Sequence, residues 1–505
     1  MEKKFLMFAL LVAALVNLCR ADVVLNALFS DSAVLQRDTK VPVWGIAEPG
    51  EKIIVKIDNI SVSTNADQSG NWILTLPEHK AGGPYEMTVT GKNTITIKDV
   101  YFGDVWFCSG QSNMAMTVSG CVDAETEIKQ ATNSLIREFK VVGSFGVQQM
   151  KNLRGTWKVC SSATVGKFSA TAYFFAKYLQ PEIGVTIGII NSSVGGTRIE
   201  AWMSRDALSK IPEIKQSVEG FDRSIKEYQL SFEEYNRKLK EWENVAEQAK
   251  KQGIQVPEKP QPPKSVVNAN SYSVLFNGMV APAVPFPVKG ILWYQGEANA
   301  GRNAYLYRDL LGALIDDWRR IWKQELPFIF VQLPNFGKVV DTTEDSFWAV
   351  LRESQLMVLK KPKTAMAVTI DIGEAGNIHP KNKQDVGKRL ALAALGTVYG
   401  RKIVYSGPIY AGMNIEGNKI RIKFNHTGSG LVAKDSDTGE VKGFVIAGQD
   451  KKFVKAKAII ENETVVVWSD EISKPVAVRY AWAGNPVCNL YNKEGLPASP
   501  FRTDQ

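Results

Sequence analysis

The sequence predicts an α/β protein built on a parallel sheet covered by helices on both faces, with a β-rich, sandwich-like module on either side. Three observations carry this. Apolar runs of strand length recur between about residues 105 and 370, most of them followed by an amphipathic stretch, and that alternation puts parallel strands between layers of helix. Residues 23–100 alternate in short strands broken by Pro49-Gly50, Ser69-Gly70 and Gly82-Gly83-Pro84, the punctuation of a β-sandwich. After Gly400 the chain turns strand-rich again.

At 505 residues the chain exceeds what one hydrophobic core holds, so several domains are expected. The first 21 residues form the opening segment. Lys3 and Lys4 precede an apolar stretch from Phe5 to Leu18, and Cys19-Arg20-Ala21 follows with small residues at both cleavage positions. This is the layout of a secretory signal peptide. The run is shorter than the ~20 apolar residues that span a bilayer, so export to the periplasm or the extracellular space is expected, without a membrane span. A lipid anchor on Cys19 is the weaker rival, because Leu18 is bulky for the position before a lipidated cysteine.

Residues 22–100 form the N-terminal module, with alternation at Ile53-Ile54-Val55-Lys56-Ile57 and Tyr85-Glu86-Met87-Thr88-Val89. In the central domain, 101–400, the expected strands are 105–108, 185–190, 290–294, 328–333 and 365–370. The expected helices are 168–179, 304–322, 347–359 and 384–398. A helical insertion at about 205–265 interrupts the alternation. Its apolar residues, from Ile214, Val218 and Phe221 to Trp242 and Ala246, recur in steps of four and three, the seam of a long helix that packs on a partner helix or on the domain surface. It reads as an inserted support helix, with a lid or dimer contact as the alternative. Pro257, Pro260, Pro262 and Pro263 then return an extended linker. Residues 401–505 form the C-terminal β-rich module, with strands expected at 419–424, 443–447, 464–468 and 475–479.

Composition narrows the function. Apolar residues make up 45% and charged residues 22%, the balance of an ordinary globular protein. The formal charge is +9, but 61 basic residues are scattered among 52 acidic ones without a basic stripe, so no nucleic-acid partner is expected. Four cysteines remain after the leader, Cys108, Cys121, Cys160 and Cys488, with no Cys-x-x-Cys spacing. A bridge between Cys108 and Cys121 and buried free thiols are both consistent with that pattern. The three histidines are dispersed, which disfavours a metal site, and no cofactor is expected.

In parallel α/β sheets ligands bind at the carboxyl ends of the strands. The first such end carries Cys108-Ser109-Gly110-Gln111-Ser112-Asn113-Met114. A serine on a sharp turn after an apolar strand presents its Oγ and its own N–H to one space, where an oxyanion forms. This nucleophile needs a base, and of the three histidines His79 and His426 lie in the flanking modules. Only His379, in Gly373-Glu374-Ala375-Gly376-Asn377-Ile378-His379-Pro380, follows a core strand. Asn191-Ser192-Ser193-Val194-Gly195-Gly196-Thr197-Arg198 and Trp293-Tyr294-Gln295-Gly296-Glu297-Ala298-Asn299 close two more strands. Gln295 is a candidate oxyanion donor there, and Glu297 or Asn299 a candidate for a sugar hydroxyl.

Gly110-Gln111-Ser112-Asn113, Gly195-Gly196-Thr197 with Glu200-Ala201-Trp202, Trp293-Tyr294-Gln295-Gly296-Glu297 and Ile378-His379-Pro380 resemble the sialate O-acetylesterases of the SGNH-hydrolase superfamily over roughly residues 100–400. The resemblance implies a three-layer α/β/α hydrolase domain that removes acetyl groups from sugars by Ser-His catalysis without a metal. It implies Ser112 as nucleophile, His379 as general base, and oxyanion donors from the Ser112 N–H, the Gly195-Gly196 turn and Gln295. Gln111, Asn113, Arg198, Trp202, Tyr294, Glu297 and Asn299 are the expected substrate contacts, with Arg198 suited to a sialic-acid carboxylate. One departure stands out: many such hydrolases carry Asp three residues before the histidine, where this chain has Gly376. Asp371, Glu374, a side chain elsewhere or a backbone carbonyl are the candidates to orient His379, with a Ser-His dyad as the alternative. The expected substrate is a sugar acetylated as in 9-O-acetyl sialic acid; acetylated xyloglucan or xylan is the alternative, and a non-catalytic glycan-binding protein the rival from another class.

Overall fold

A computed structural model describes residues 22–343 and 346–504. The expected signal peptide, with Cys19, lies outside the described residues. The central sheet is built from β1 (Thr94–Gly110), β2 (Ile136–Val141), β3 (Gly155–Val159), β4 (Ile187–Ser193), β5 (Gly290–Tyr294), β6 (Phe328–Val331) and β7 (Thr364–Ala367). Their order is β3-β2-β4-β1-β5-β6-β7. All neighbours pair in parallel except β3, which runs antiparallel to β2 at the edge.

The alternation of apolar run and helix is what the structure shows. The helices are Ala170–Ile183, Tyr307–Trp322, Phe347–Met357 and Lys383–Thr397. Strands β4 to β7 and the end of β1 are buried almost throughout, as a sheet covered on both faces requires. The sequence reading missed β2 and β3. In β2 (Ile-Arg-Glu-Phe-Lys-Val) Arg137 and Glu138 interrupt the apolar run, yet both are buried. Arg137 reaches the Asp99 carboxylate at 3.0 Å, and Glu138 accepts from Ser169 N–H and Asn191 Nδ2. Polar and ionisable groups persist in the interior because they are hydrogen-bonded.

β1 is long because it serves two modules. Its first half pairs antiparallel with Gly82–Thr90, its middle in parallel with Val34–Gln36, and its second half enters the central sheet. Position 100 falls inside this strand, and the N-terminal strands share one apolar core with the central sheet. The C-terminal module has a core of its own around Ile420, Ile446, Val467 and Tyr480. Its two four-stranded sheets include Lys419–Asn425 with Thr464–Trp468, and Phe444–Ala447 with Ala477–Tyr480.

The seam helix runs Pro212–Gln252, 41 residues. Ile214, Val218 and Ile225 are buried at its start, and Ala246 and Ala249 near its end. Its middle stands clear: Leu230 and Phe232 are exposed. At 1.5 Å per residue a helix this long spans about 60 Å, further than one domain face. Trp242 donates Nε1 to the Pro257 carbonyl of the returning linker. The described cysteines are free thiols, so Cys108 and Cys121 are not bridged. Among the described residues no helix is long and apolar enough to cross a membrane.

Candidate active site

β1 ends where it comes closest to β5. Gly110 takes a φ of +140°, and a Cβ there would lie 2.0 Å from the Tyr294 carbonyl oxygen, so glycine is required by both conformation and space. The chain then turns into a short helix, Ser112–Ala115, which places Ser112 at its first position. An N–H there has no acceptor within its helix.

β4 lies on the other side of β1. Val194 N–H donates to the Gly110 carbonyl, and the turn folds back so that a Cβ on Gly195 would sit 3.5 Å from Ser112 Cβ. Gly195 and Gly196 are exposed, and Gly196 has a φ of +69°. The turn is braced from below: Thr197 Oγ1 donates to the Val194 carbonyl, Trp202 Nε1 donates to Thr197 Oγ1, and Asn270 Nδ2 donates to the Gly196 carbonyl.

The third segment is the loop after β7. His379 Nε2 lies 2.8 Å from Ser112 Oγ, although the two are 267 residues apart. Asn377 holds the backbone of His379 from both sides: Oδ1 accepts from His379 N–H and Nδ2 donates to the His379 carbonyl. Glu374 in turn accepts from Asn377 Nδ2 and Lys381 N–H. Burial, with the Lys383 ammonium adding to it, pushes the imidazole below its usual pKa, which favours the neutral form that accepts a proton. Among the described residues His379 Nδ1 has no hydrogen-bond partner.

Several expected site residues are placed elsewhere. Asp371, the expected orienting carboxylate, is bound at 2.6 and 2.7 Å by the Arg389 guanidinium and at 3.1 Å by Tyr491 Oη, so it serves the contact with the C-terminal module. Gln295 is fully buried, its amide nitrogen within reach of Thr197 O, Asn299 Oδ1 and Gln111 Oε1. With three acceptors for two protons it has none to spare for an oxyanion. Trp202 and Tyr294 are buried in the core, and so are Asn113 and Asn299. Asn299 bridges Ile199 N–H, Gln295 and Glu200, while Asn113 donates to Glu297 and the Ile378 carbonyl. Glu297 is buried beside it, and burial raises its carboxyl pKa. These five side chains are buried beneath the serine and histidine.

Of the other two expected substrate residues, Gln111 is also buried but lies directly against Ser112, and Arg198 is half-buried. Gln111 Oε1 accepts from Gln295 Nε2 and Ala298 N–H, and since a backbone N–H must meet an oxygen, Nε2 of Gln111 is the atom turned to Ser112 Oγ, at 3.5 Å. Arg198 is half-buried beside the Gly195-Gly196 turn, with one guanidinium nitrogen 3.3 Å from the Asn270 carbonyl. Reading the sequence quoted Asn377 and Glu200 within motifs but gave them no role, and it missed Tyr307 and Lys383. Tyr307 Oη lies within bonding reach of both Gln295 oxygens, and only the polar spacing around the strand ends could have pointed to it.

A description of carbohydrate esterases, sialic acid-specific acetylesterase, matches residues 102–251 and 266–396. The sialate O-acetylesterase of Mus musculus is 29% identical, over 93% of this chain and 92% of its own length. That of Homo sapiens is also 29% identical, over 94% and 91%. The crystal structure of a carbohydrate acetylesterase from Xanthomonas citri aligns with a TM-score of 0.80 at 39% identity, covering 96% of this chain and all of that one.

Proposed function

The chain belongs to the sialic acid-specific acetylesterase family of carbohydrate esterases, and we propose that Ser112 and His379 carry its reaction as nucleophile and general base. It is a carboxylic ester hydrolase that removes acetyl groups from carbohydrates. The observation that supports the assignment is the 2.8 Å contact between Ser112 Oγ and His379 Nε2 at the rim of the sheet, within the range required of a nucleophile and its base.

His379 Nε2 takes the Oγ proton as Oγ bonds to the acetyl carbonyl carbon. The oxyanion that forms is held by the N–H groups of Ser112 and of the Gly195-Gly196 turn, with Gln111 Nε2 replacing Gln295 as the side-chain donor. The imidazolium then gives its proton to the departing sugar oxygen as the C–O bond breaks, leaving acetyl-Ser112. Water, deprotonated by the same Nε2, adds to that ester; the proton returns to Ser112 and acetate leaves. Among the described residues no carboxylate bonds the imidazole, and Asn377 fixes the histidine through its backbone.

For substrate, the favoured reading is a sialic acid acetylated at its 9-hydroxyl, with the Arg198 guanidinium meeting the carboxylate. The expected export signal puts the enzyme in the periplasm or outside the cell. Acetate release from 9-O-acetyl sialic acid, acetylated xyloglucan and acetylated xylan, compared for the wild type and Ser112→Ala, tests the reading. Preferred release from the sialic acid and ~10⁴-fold or greater loss in the variant support it. Preference for a plant glycan overturns the substrate, and an active variant overturns the nucleophile.

A further inference from the structure

Lys383 opens the helix Lys383–Thr397 and is fully buried. Both facts run against ordinary preference. A cation at a helix N-terminus meets the positive end of the helix dipole, and a buried ammonium must be partnered. The partners found here join the catalytic segments. Nζ donates to Asn113 Oδ1 at 2.8 Å and to the Pro380 carbonyl at 2.5 Å, and it stands 5.6 Å from the centroid of the Tyr294 ring. Asn113 directly follows Ser112, and Pro380 directly follows His379. Asn113 Nδ2 closes the knot by donating to the Ile378 carbonyl at 3.0 Å and to Glu297 Oε1 at 2.5 Å.

Resting on the Ser112–His379 reading, we propose that Lys383 is a positioning residue: through Asn113 and the Pro380 carbonyl it ties the histidine loop to the nucleophile turn, and it holds an ammonium charge near the imidazole. Asn113 is the hinge of the device, bound on one side to the lysine and on the other to Glu297 and the loop. A neutral side chain in place of Lys383 unties the loop and removes the charge together. Without Lys383, the Ser112–His379 distance is set by the loop's internal bonds through Asn377 and Glu374, by Asn113 Nδ2 on the Ile378 carbonyl, and by anchors farther from the imidazole, Gly337 N–H on the Ala375 carbonyl and Val122 N–H on the Lys381 carbonyl.

The charge has a kinetic signature. His379 must be unprotonated to act as base, and both burial and Lys383 keep its pKa low. Burial also lowers the pKa of Lys383 itself, to about 8, while Glu297, Glu374 and Cys121 oppose that shift. Below that pH the ammonium persists, so loss of the charge raises the pKa of His379 and moves the acid limb of kcat/KM to higher pH. A merely structural lysine leaves that limb in place.

The test is the pH profile of p-nitrophenyl acetate hydrolysis by the wild type, Lys383→Met, Lys383→Arg and Ser112→Ala. In Lys383→Met, kcat falls ~10–100-fold, the loss expected of a misplaced catalytic group; KM changes little and the acid limb moves up. Lys383→Arg keeps the acid limb of the wild type. A folded Lys383→Met with an unmoved acid limb, or with full kcat, overturns the proposal while an inactive Ser112→Ala leaves the underlying reading standing. An active Ser112→Ala overturns that reading itself. Should Lys383→Met not fold, Asn113→Ala decides the positioning claim: reduced kcat with an unchanged acid limb supports it, and full kcat overturns it.

Discussion

Gln295 donates its amide to Gln111 Oε1 at 3.2 Å, and so turns the free end of the Gln111 amide toward Ser112. On the proposed mechanism, the side chain expected to donate from the third strand instead buttresses Gln111, the donor beside the nucleophile. Gln111→Ala is expected to lower kcat ~10²–10³-fold with little change in KM, as loss of one oxyanion donor does. Steady-state kinetics on an acetylated sugar check this; an unchanged kcat would return the role to another group.

Asp371 is bonded by Arg389 and Tyr491, so its loss is expected to act on stability rather than on turnover. Removing one partner of a buried ion pair costs ~3–5 kcal/mol, and Asp371 and Arg389 are both largely buried. Asp371→Asn is expected to unfold at lower denaturant while the folded protein keeps its kcat. Chemical denaturation together with kinetics below the transition separates the two effects.

Two glycines of the site differ in what they tolerate. A Cβ at Gly110 meets the Tyr294 carbonyl at 2.0 Å, whereas one at Gly195 meets Ser112 Cβ at an ordinary 3.5 Å. Gly110→Ala is expected to lose folded protein. Gly195→Ala, which keeps its N–H, is expected to retain both its melting temperature and its turnover. Thermal melts and acetate release are the measurements.

Glu138 links stability to pH. Burial raises its carboxyl pKa to about 7, against the partial opposition of Ser169 N–H and Asn191. A folded pKa above the unfolded one means the native state holds a proton that the unfolded state has lost. The contribution is therefore complete below the ordinary carboxylate range and is lost as pH rises through 7, by about 3 kcal/mol in all. Glu138→Gln is expected to flatten that slope. Urea midpoints at acid and alkaline pH, compared with the wild type, measure it.

The sheet was legible because β4 to β7 are apolar runs in a chain whose helices are amphipathic. β2 was not, since Arg137 and Glu138 look like solvent-facing charges until their partners on other segments are known. At the site the same division holds. The meeting of Ser112 with His379 follows from both lying just past strand ends in one sheet. The direction of a loop side chain does not follow from its motif: Trp202, Tyr294, Glu297, Asn299 and Asn113 all stand in polar strand-end clusters, yet packing turns each of them inward. Lys383 was invisible for the opposite reason, because a lysine opening a helix reads as a solvated residue and only the fold brings Asn113, Pro380 and Tyr294 around it.

The most direct measurement is mass-spectrometric mapping of a fluorophosphonate adduct on the native enzyme and on His379→Ala. The account predicts one covalent modification, on the peptide carrying Ser112, formed rapidly in the native enzyme and at a greatly reduced rate without the imidazole. Labelling at another serine, or equal labelling of Ser112 in both proteins, would contradict it.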